Sequence, residues 1–145
     1  DRAKGAKEAF EAAGLEVVGS VPGDWDRQKA KELASTWIQQ NPDLKAIFCN
    51  NDDMALGAIQ AIEAAGLKPG KDVTIISIDG VKGIFKAMME GKSNCTVECN
   101  PLQGDLLMET AKKILNGEQV SKNVFVKEGV FSADVAEKTL PDRKY

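Results

Sequence analysis

Two rhythms alternate along the chain. Ala3, Ala6, Phe10 and Ala13 recur at helical spacing, and Gly14 follows where a left-handed residue stops a helix, so a helix is expected over residues 2–13. "LEVVGSV" reads as a short buried strand. "PGDWD" then supplies a turn before a helix with Ala30, Leu33, Ala34, Trp37 and Ile38 on one face, ended by "NPD". "LKAIFCN" is a second apolar run. "DDMALGAIQAIEAAG" is a helix with carboxylates in its first turn and Gly66 at its end, and "DVTIISI" is a third run, rich in β-branched residues. A helix near 81–91, with Met88 and Met89 assigned with Trp37 to the core, and a strand near 94–98 continue the alternation.

Continuous apolar strands alternating with amphipathic helices imply a parallel sheet covered on both faces, the doubly wound, three-layer α/β class. After Pro101 the rhythm changes. A helix at about 103–116 is stopped by "NGE", "NVFVKEGVF" reads as a last strand, and the tail "LPDRKY" is expected to be loosely held. No internal repeat or low-complexity tract is present.

Composition narrows the class. With 145 residues and 43% hydrophobic content, one core can be buried without disulfides or metal. The net charge of −3 offers no electrostatic footprint for nucleic acid or an anionic membrane. No apolar window is long enough to span a bilayer, and no starting Met or basic leader is seen; the opening "DRAKGAKEAFEAAGLEV" reads as a helix already under way, so the protein is expected to continue upstream. Cys49, Cys95 and Cys99 form no CxxC pair or zinc spacing and read as free buried thiols. There is no His, so metal catalysis is not expected and no cofactor is implied.

In an open α/β sheet the ligand crevice lies beyond the carboxyl ends of the strands. Three loops leaving strands are unusually polar. The first carries Asp24, Trp25, Asp26 and Arg27, the second Asn50, Asn51, Asp52 and Asp53, and the third Asp79 and Gly80; Arg2 would follow a strand upstream of this sequence. Guanidinium, amide and carboxylate groups each engage neighbouring hydroxyls through paired hydrogen bonds, and an indole covers the C–H face of a sugar ring. The set therefore suits a neutral polyhydroxyl ligand. Plainer roles stand beside this one. Asp52 and Asp53 fit helix caps better than ligand contacts, Asp24 and Asp26 fit turn formers with Asp26 as a cap, Arg27 fits a partner of a nearby carboxylate, and Asp79 fits a turn residue as well as a ligand group. Trp25 gains little from turn chemistry.

"DR..G", "PGDWDR", "AIFCNNDDMALGAIQAIEAAG", "SIDG", "AMMEGK" and "TVECNP" occur in the order and spacing of type I periplasmic sugar-binding proteins, and almost the whole chain resembles the carboxyl-terminal portion of that family, closest to its ribose-, galactose- and galactofuranose-type members. The resemblance implies a monosaccharide-binding component of an ABC importer, located in the periplasm, with no enzymatic activity and with a membrane permease as partner. It assigns substrate contacts to Arg2, Trp25, Asn51 and Asp79, with Asp24, Asn50, Cys99 and Asn100 as further candidates; Cys99 stands where many ribose binders carry Gln. It also divides the chain into a sugar-binding lobe (1–100), an interlobe segment (101–121) whose helix packs on an amino-terminal lobe, and a returning strand with tail (122–145). A helix orphaned from that lobe would expose Leu106, Leu107 and Ile114 and favour self-association. Three rival readings remain: the effector domain of a LacI-like repressor, a magnesium-dependent phosphoryl-transfer enzyme built on "NNDD" and Asp79, and a lobe used only for protein contacts.

Overall fold

The computed structural model describes residues 1–145. In chain order the elements are α1 (Arg2–Ala12), α2 (Arg27–Gln40), β1 (Ala46–Phe48), α3 (Asp52–Ala64), β2 (Thr74–Asp79), α4 (Lys82–Met89), β3 (Cys95–Glu98), α5 (Gly104–Leu115), β4 (Val130–Ser132) and the one-turn α6 (Ala136–Thr139), which is flanked by 3-10 turns. The sheet order is β1-β2-β3-β4. The first three strands are parallel and β4 runs antiparallel on β3, so the expected parallel sheet carries a mixed edge.

Register explains where the core lies. Ile47, Ile75, Ser77 and Thr96 are buried on one face of the sheet, while Ala46, Phe48, Ile76, Ile78 and Val97 on the other are only half-buried. Both crossovers, β1-α3-β2 and β2-α4-β3, step in the same direction, and right-handed connections then place α3 and α4 on the same face. α3 fills the core because eight of its 13 residues are buried, Met54, Ala55, Ala58, Ile59, Ala61 and Ile62 among them. Ile62 and Ile75 are fully buried, and each contributes about 1.5–3 kcal/mol of hydrophobic stabilisation. α2 lies against α3 at close range because Gly57 has no side chain; a Cβ there would sit 2.1 Å from the Arg27 carbonyl oxygen.

Five expectations are corrected. The apolar run 15–21 forms no strand, and Leu15, Val18 and Val21 are exposed. A strand needs a hydrogen-bonded neighbour, whereas this segment and α1 stand off β1 across a cleft of about 300 Å³ lined by Ala6, Phe10, Val18 and Phe48. Helical cover is accordingly thin on the second face, with no residue of α1 buried. The last strand starts at Val130; residues 123–129 form no regular element. Met89 is 49% exposed while Met88 is buried, because α4 turns its 85–88 face inward and ends at Met89. The tail is anchored: Arg143 is buried, and the Lys82 amide donates to the Tyr145 carbonyl.

Candidate ligand rim

The carboxyl ends of β1 and β2, the start of α1 and the turn before α2 meet at one end of the sheet. Arg2, in the first turn of α1, donates through Nη1 to the Asn50 carbonyl oxygen at 2.6 Å and to Asp79 Oδ1 at 3.3 Å. Its guanidinium carbon lies 5.5 Å from the centroid of the Trp25 ring. The structure thus brings Arg2, Trp25, Asp79 and the Asn50 backbone together. Trp25 remains 60% exposed.

Three non-glycine residues have positive φ, and all three belong to this end of the molecule: Asp24 at 51°, Trp25 at 60° and Asp79 at 131°. Such conformations cost about 1–3 kcal/mol each and persist only where the surroundings enforce them, as at sites of function. Burial pushes the Asp79 carboxyl above the ordinary carboxylate range, against the opposing pull of Arg2. A carboxylate paired with a guanidinium at about one-third exposure keeps acceptor capacity for an incoming hydroxyl pair.

The neighbouring residues divide into roles. Asn51 caps α3, its Oδ1 accepting from the Met54 amide at 2.9 Å, so its carbonyl is engaged while its Nδ2 has no partner within the chain. Asn50 Oδ1 is buried without a partner, a cost of about 1–3 kcal/mol that a bound hydroxyl or water would remove. Asp24 pairs with Lys29, Asp26 caps α2 by accepting from the Lys29 amide, and Arg27 pairs with Asp53, all on the exposed side. Asn100 is a turn former, its Oδ1 accepting from the Leu102 amide, and Cys99 reaches the rim only through its amide, which donates to the Asp79 carbonyl at 3.1 Å.

Asp52 is neither cap nor ligand. It is fully buried and accepts four hydrogen bonds, from Ser77 Oγ at 2.5 Å, the Gly80 amide at 2.7 Å, and the Val81 amide and Thr96 Oγ1 at 2.8 Å each. Burial raises its pKa and these donors counter the rise. Its carboxylate ties β3 and the turn after β2 to the start of α3. Buried Arg143 and half-buried Glu98, behind the same turn, were not singled out by the sequence, and no local pattern marks them. Burial pushes the Cys49 thiol up to about 12, an inert side chain rather than a nucleophile. No group of three or more His, Cys, Asp or Glu side chains is placed to hold a metal ion, and no helix is long and apolar enough to cross a membrane.

The fold is of the open-sheet α/β class, with Arg2, Trp25 and Asp79 gathered at its strand ends and no nucleophile–base pair among them. Residues 1–119 match the periplasmic binding protein domain, and the chain belongs to that family. It is 40% identical to the galactofuranose-binding protein of Escherichia coli K12 over 149 residues, covering 99% of this chain and 47% of that protein. It is 40% identical to the D-allose-binding periplasmic protein of the same organism, covering 83% of this chain and 38% of that one. The structure superposes with a TM-score of 0.89, at 36% identity, on the arabinose ABC transporter binding protein of Shewanella sp. ANA-3 bound to α- and β-L-arabinofuranose, covering 99% of this chain and 49% of the other. The chain thus spans half or less of the length of the relatives it matches.

Proposed function

We propose that this chain is the carboxyl-terminal lobe of a periplasmic solute-binding protein that captures a monosaccharide between two lobes and delivers it to an ABC permease, without catalysing a reaction on it. The observation that carries the reading is the convergence of Arg2, Trp25 and Asp79 on one rim, with two of the three held at positive φ. A guanidinium and a carboxylate set side by side take hydroxyl pairs, and the exposed indole offers a ring face; Asn51 Nδ2 and Asn50 Oδ1 supply an amide donor and acceptor beside them. One lobe holds half of such a site, and hinge closure of two lobes completes it.

The apolar face of α5 fits the same account. Leu107, Met108, Ile114 and Leu115 are 56–85% exposed and no residue of the helix is buried. In the intact protein this face packs on the amino-terminal lobe, with residues 101–121 as the crossing segment and 122–145 as the return; the chain by itself self-associates through it. Sedimentation velocity on the chain tests the second point: a concentration-dependent dimer supports it and a strict monomer opposes it. Periplasmic localisation follows from membership of the transport branch. The repressor, phosphoryl-transfer and protein-contact readings find no support among the named relatives, which are sugar-binding proteins.

A thermal-shift screen on the full-length protein tests the proposal, with aldohexoses, pentoses and furanose-forming sugars in one arm and magnesium with phosphoesters in the other. A rise in midpoint confined to one or a few monosaccharides is expected. A response to magnesium and phosphoester alone would replace sugar capture by phosphoryl chemistry.

A further inference from the structure

We infer that Arg143, in the carboxyl-terminal tail, is the positioning residue for the ligand rim, bracing the Asp79–Gly80 turn in the conformation that presents the Asp79 carboxylate. The ligand side of the inference rests on the sugar-capture reading; the brace itself is a property of the fold.

Asp79 sits at φ 131°, a conformation that must be enforced from outside the turn. Two groups enforce it from opposite ends of the Gly80 residue. Asp52 accepts the Gly80 and Val81 amides, and Arg143 Nε donates to the Gly80 carbonyl oxygen at 2.9 Å. Contact is close: a Cβ added to Gly80 would lie 2.8 Å from Arg143 Nη2. With amide and carbonyl both committed, the Gly80 backbone has little freedom to rotate, and Asp79 immediately before it is aimed.

Arg143 is itself held by one carboxylate and three aromatic rings. Its Nη1 donates to Glu98 Oε1 at 2.6 Å, and its guanidinium carbon lies 4.5 Å from the Tyr145 ring, 5.2 Å from Phe131 and 5.3 Å from Phe85. Glu98 is the cross-strand partner of Asp79 in the β2–β3 ladder. It accepts the Tyr145 hydroxyl at 2.7 Å on Oε1 and the Gly129 amide at 3.0 Å on Oε2. One guanidinium–carboxylate pair thereby joins three segments: the rim turn, the point where the chain leaves the sheet after Glu98, and the point where it returns before β4. The Lys82 amide adds a fourth tie by donating to the Tyr145 carbonyl at 2.9 Å.

Stability alone does not account for this arrangement. A buried ion pair is often replaced by apolar residues without loss, and here Arg143 Nη2 is left buried with no partner. What an apolar side chain cannot do is hold the Gly80 carbonyl and Glu98 at once from a rigid planar fork. Burial would raise the Glu98 carboxyl, but the hydrogen bonds from Tyr145, Arg143 and the Gly129 amide, together with the Arg143 charge, hold the group below its ordinary range.

The test uses the full-length protein with Arg143→Met, the double variant Arg143→Met/Glu98→Met, and Tyr145→Phe. The readouts are hydrogen exchange over residues 79–83 without sugar, calorimetric affinity for D-galactose, D-ribose and L-arabinose, and the thermal midpoint. Arg143→Met is expected to speed exchange over 79–83 at least about tenfold, leave peptides of α2 and α3 unchanged, and weaken binding of the preferred sugar by about tenfold or more. The double variant should recover most of the lost thermal midpoint but neither the exchange protection nor the affinity. Tyr145→Phe, which keeps the guanidinium, should weaken binding by about threefold or less and serves as the readout with the double variant if Arg143→Met does not fold. Unchanged exchange over 79–83 in the two Arg143 variants, or affinity regained with the midpoint in the double variant, overturns the positioning role. Wild-type protein binding no monosaccharide of the wider screen would sink the capture reading, while the exchange comparison still decides the brace.

Discussion

α4, of 8 residues, and α5, of 12, are both amphipathic helices, yet they end in opposite circumstances. In α4, Ile84, Phe85, Ala87 and Met88 are buried against α3 and the tail; in α5 no residue is buried and Leu115 is 85% exposed. Apolar periodicity creates the helix in both cases, and it is tertiary context that supplies or withholds the partner. The comparison separates two kinds of surface on one lobe. The 79–85 region is tied to its own sheet by Asp52, Arg143 and Phe131, while no residue of the 101–129 region is buried.

The largest effect expected on the tied side comes from Asp52→Ala. It strands the Gly80 and Val81 amides and the Ser77 and Thr96 hydroxyls in the interior, and a loss of about 3–5 kcal/mol is expected in denaturant unfolding. A change below about 1 kcal/mol would mean that water replaces the carboxylate and that the turn is not fixed from within.

Next in size, Asp79→Asn in the full-length protein should weaken sugar binding about 10- to 100-fold with a thermal midpoint within a few degrees of wild type. The stability clause follows from the sign of the shift. Burial raises the folded-state pKa of Asp79, so its contribution to folding is fully present below the ordinary value of 3.8 and is lost as pH rises through the folded value. Removing its charge therefore does not harm folding at neutral pH. Ligand capture has the opposite pH sense, because it uses the carboxylate. Affinity should fall on acidification with a midpoint above 3.8, a dependence absent from Asp79→Asn and measurable by calorimetry across pH 4–7.

The smallest effect belongs to α5. Ile114→Ser and Leu107→Ser should change the unfolding free energy of the isolated chain by about 0.5 kcal/mol or less, as surface substitutions do, and should abolish its self-association. In the full-length protein the same pair should cost about 2 kcal/mol or more, as buried positions do. Equal costs in both settings would erase the contrast with α4.

Much of the sheet was legible in the sequence because its signals are local. β-branched runs and helical spacing marked β2, α2, α3, α4 and α5, and "SIDG" and "PGDW" drew attention to the turns that form the rim. What escaped depends on distant partners. Residues 15–21 have the composition of a strand and no hydrogen-bonded neighbour, so they remain extended and unpaired. The tail reads as polar and loose, but Arg143 is fixed by Glu98, Phe85 and Phe131, residues 45, 58 and 12 positions away in the chain. Asp52, like Asp53, looked like a cap because it is a carboxylate in the first turn of a helix. Only the three-dimensional approach of Ser77, Thr96 and the Gly80 turn shows it to be the hub. Positive φ at Trp25 and Asp79 has no signature in residue identity, and it is among the features that distinguish the rim from an ordinary set of turns.

The central claim is that this chain supplies one wall of a two-walled sugar site. Isothermal titration of the isolated chain and of the full-length protein with the same preferred monosaccharide tests it most directly. Binding by the isolated chain weaker by about 100-fold or more, or undetectable, is the predicted result; equal affinity in the two would contradict it.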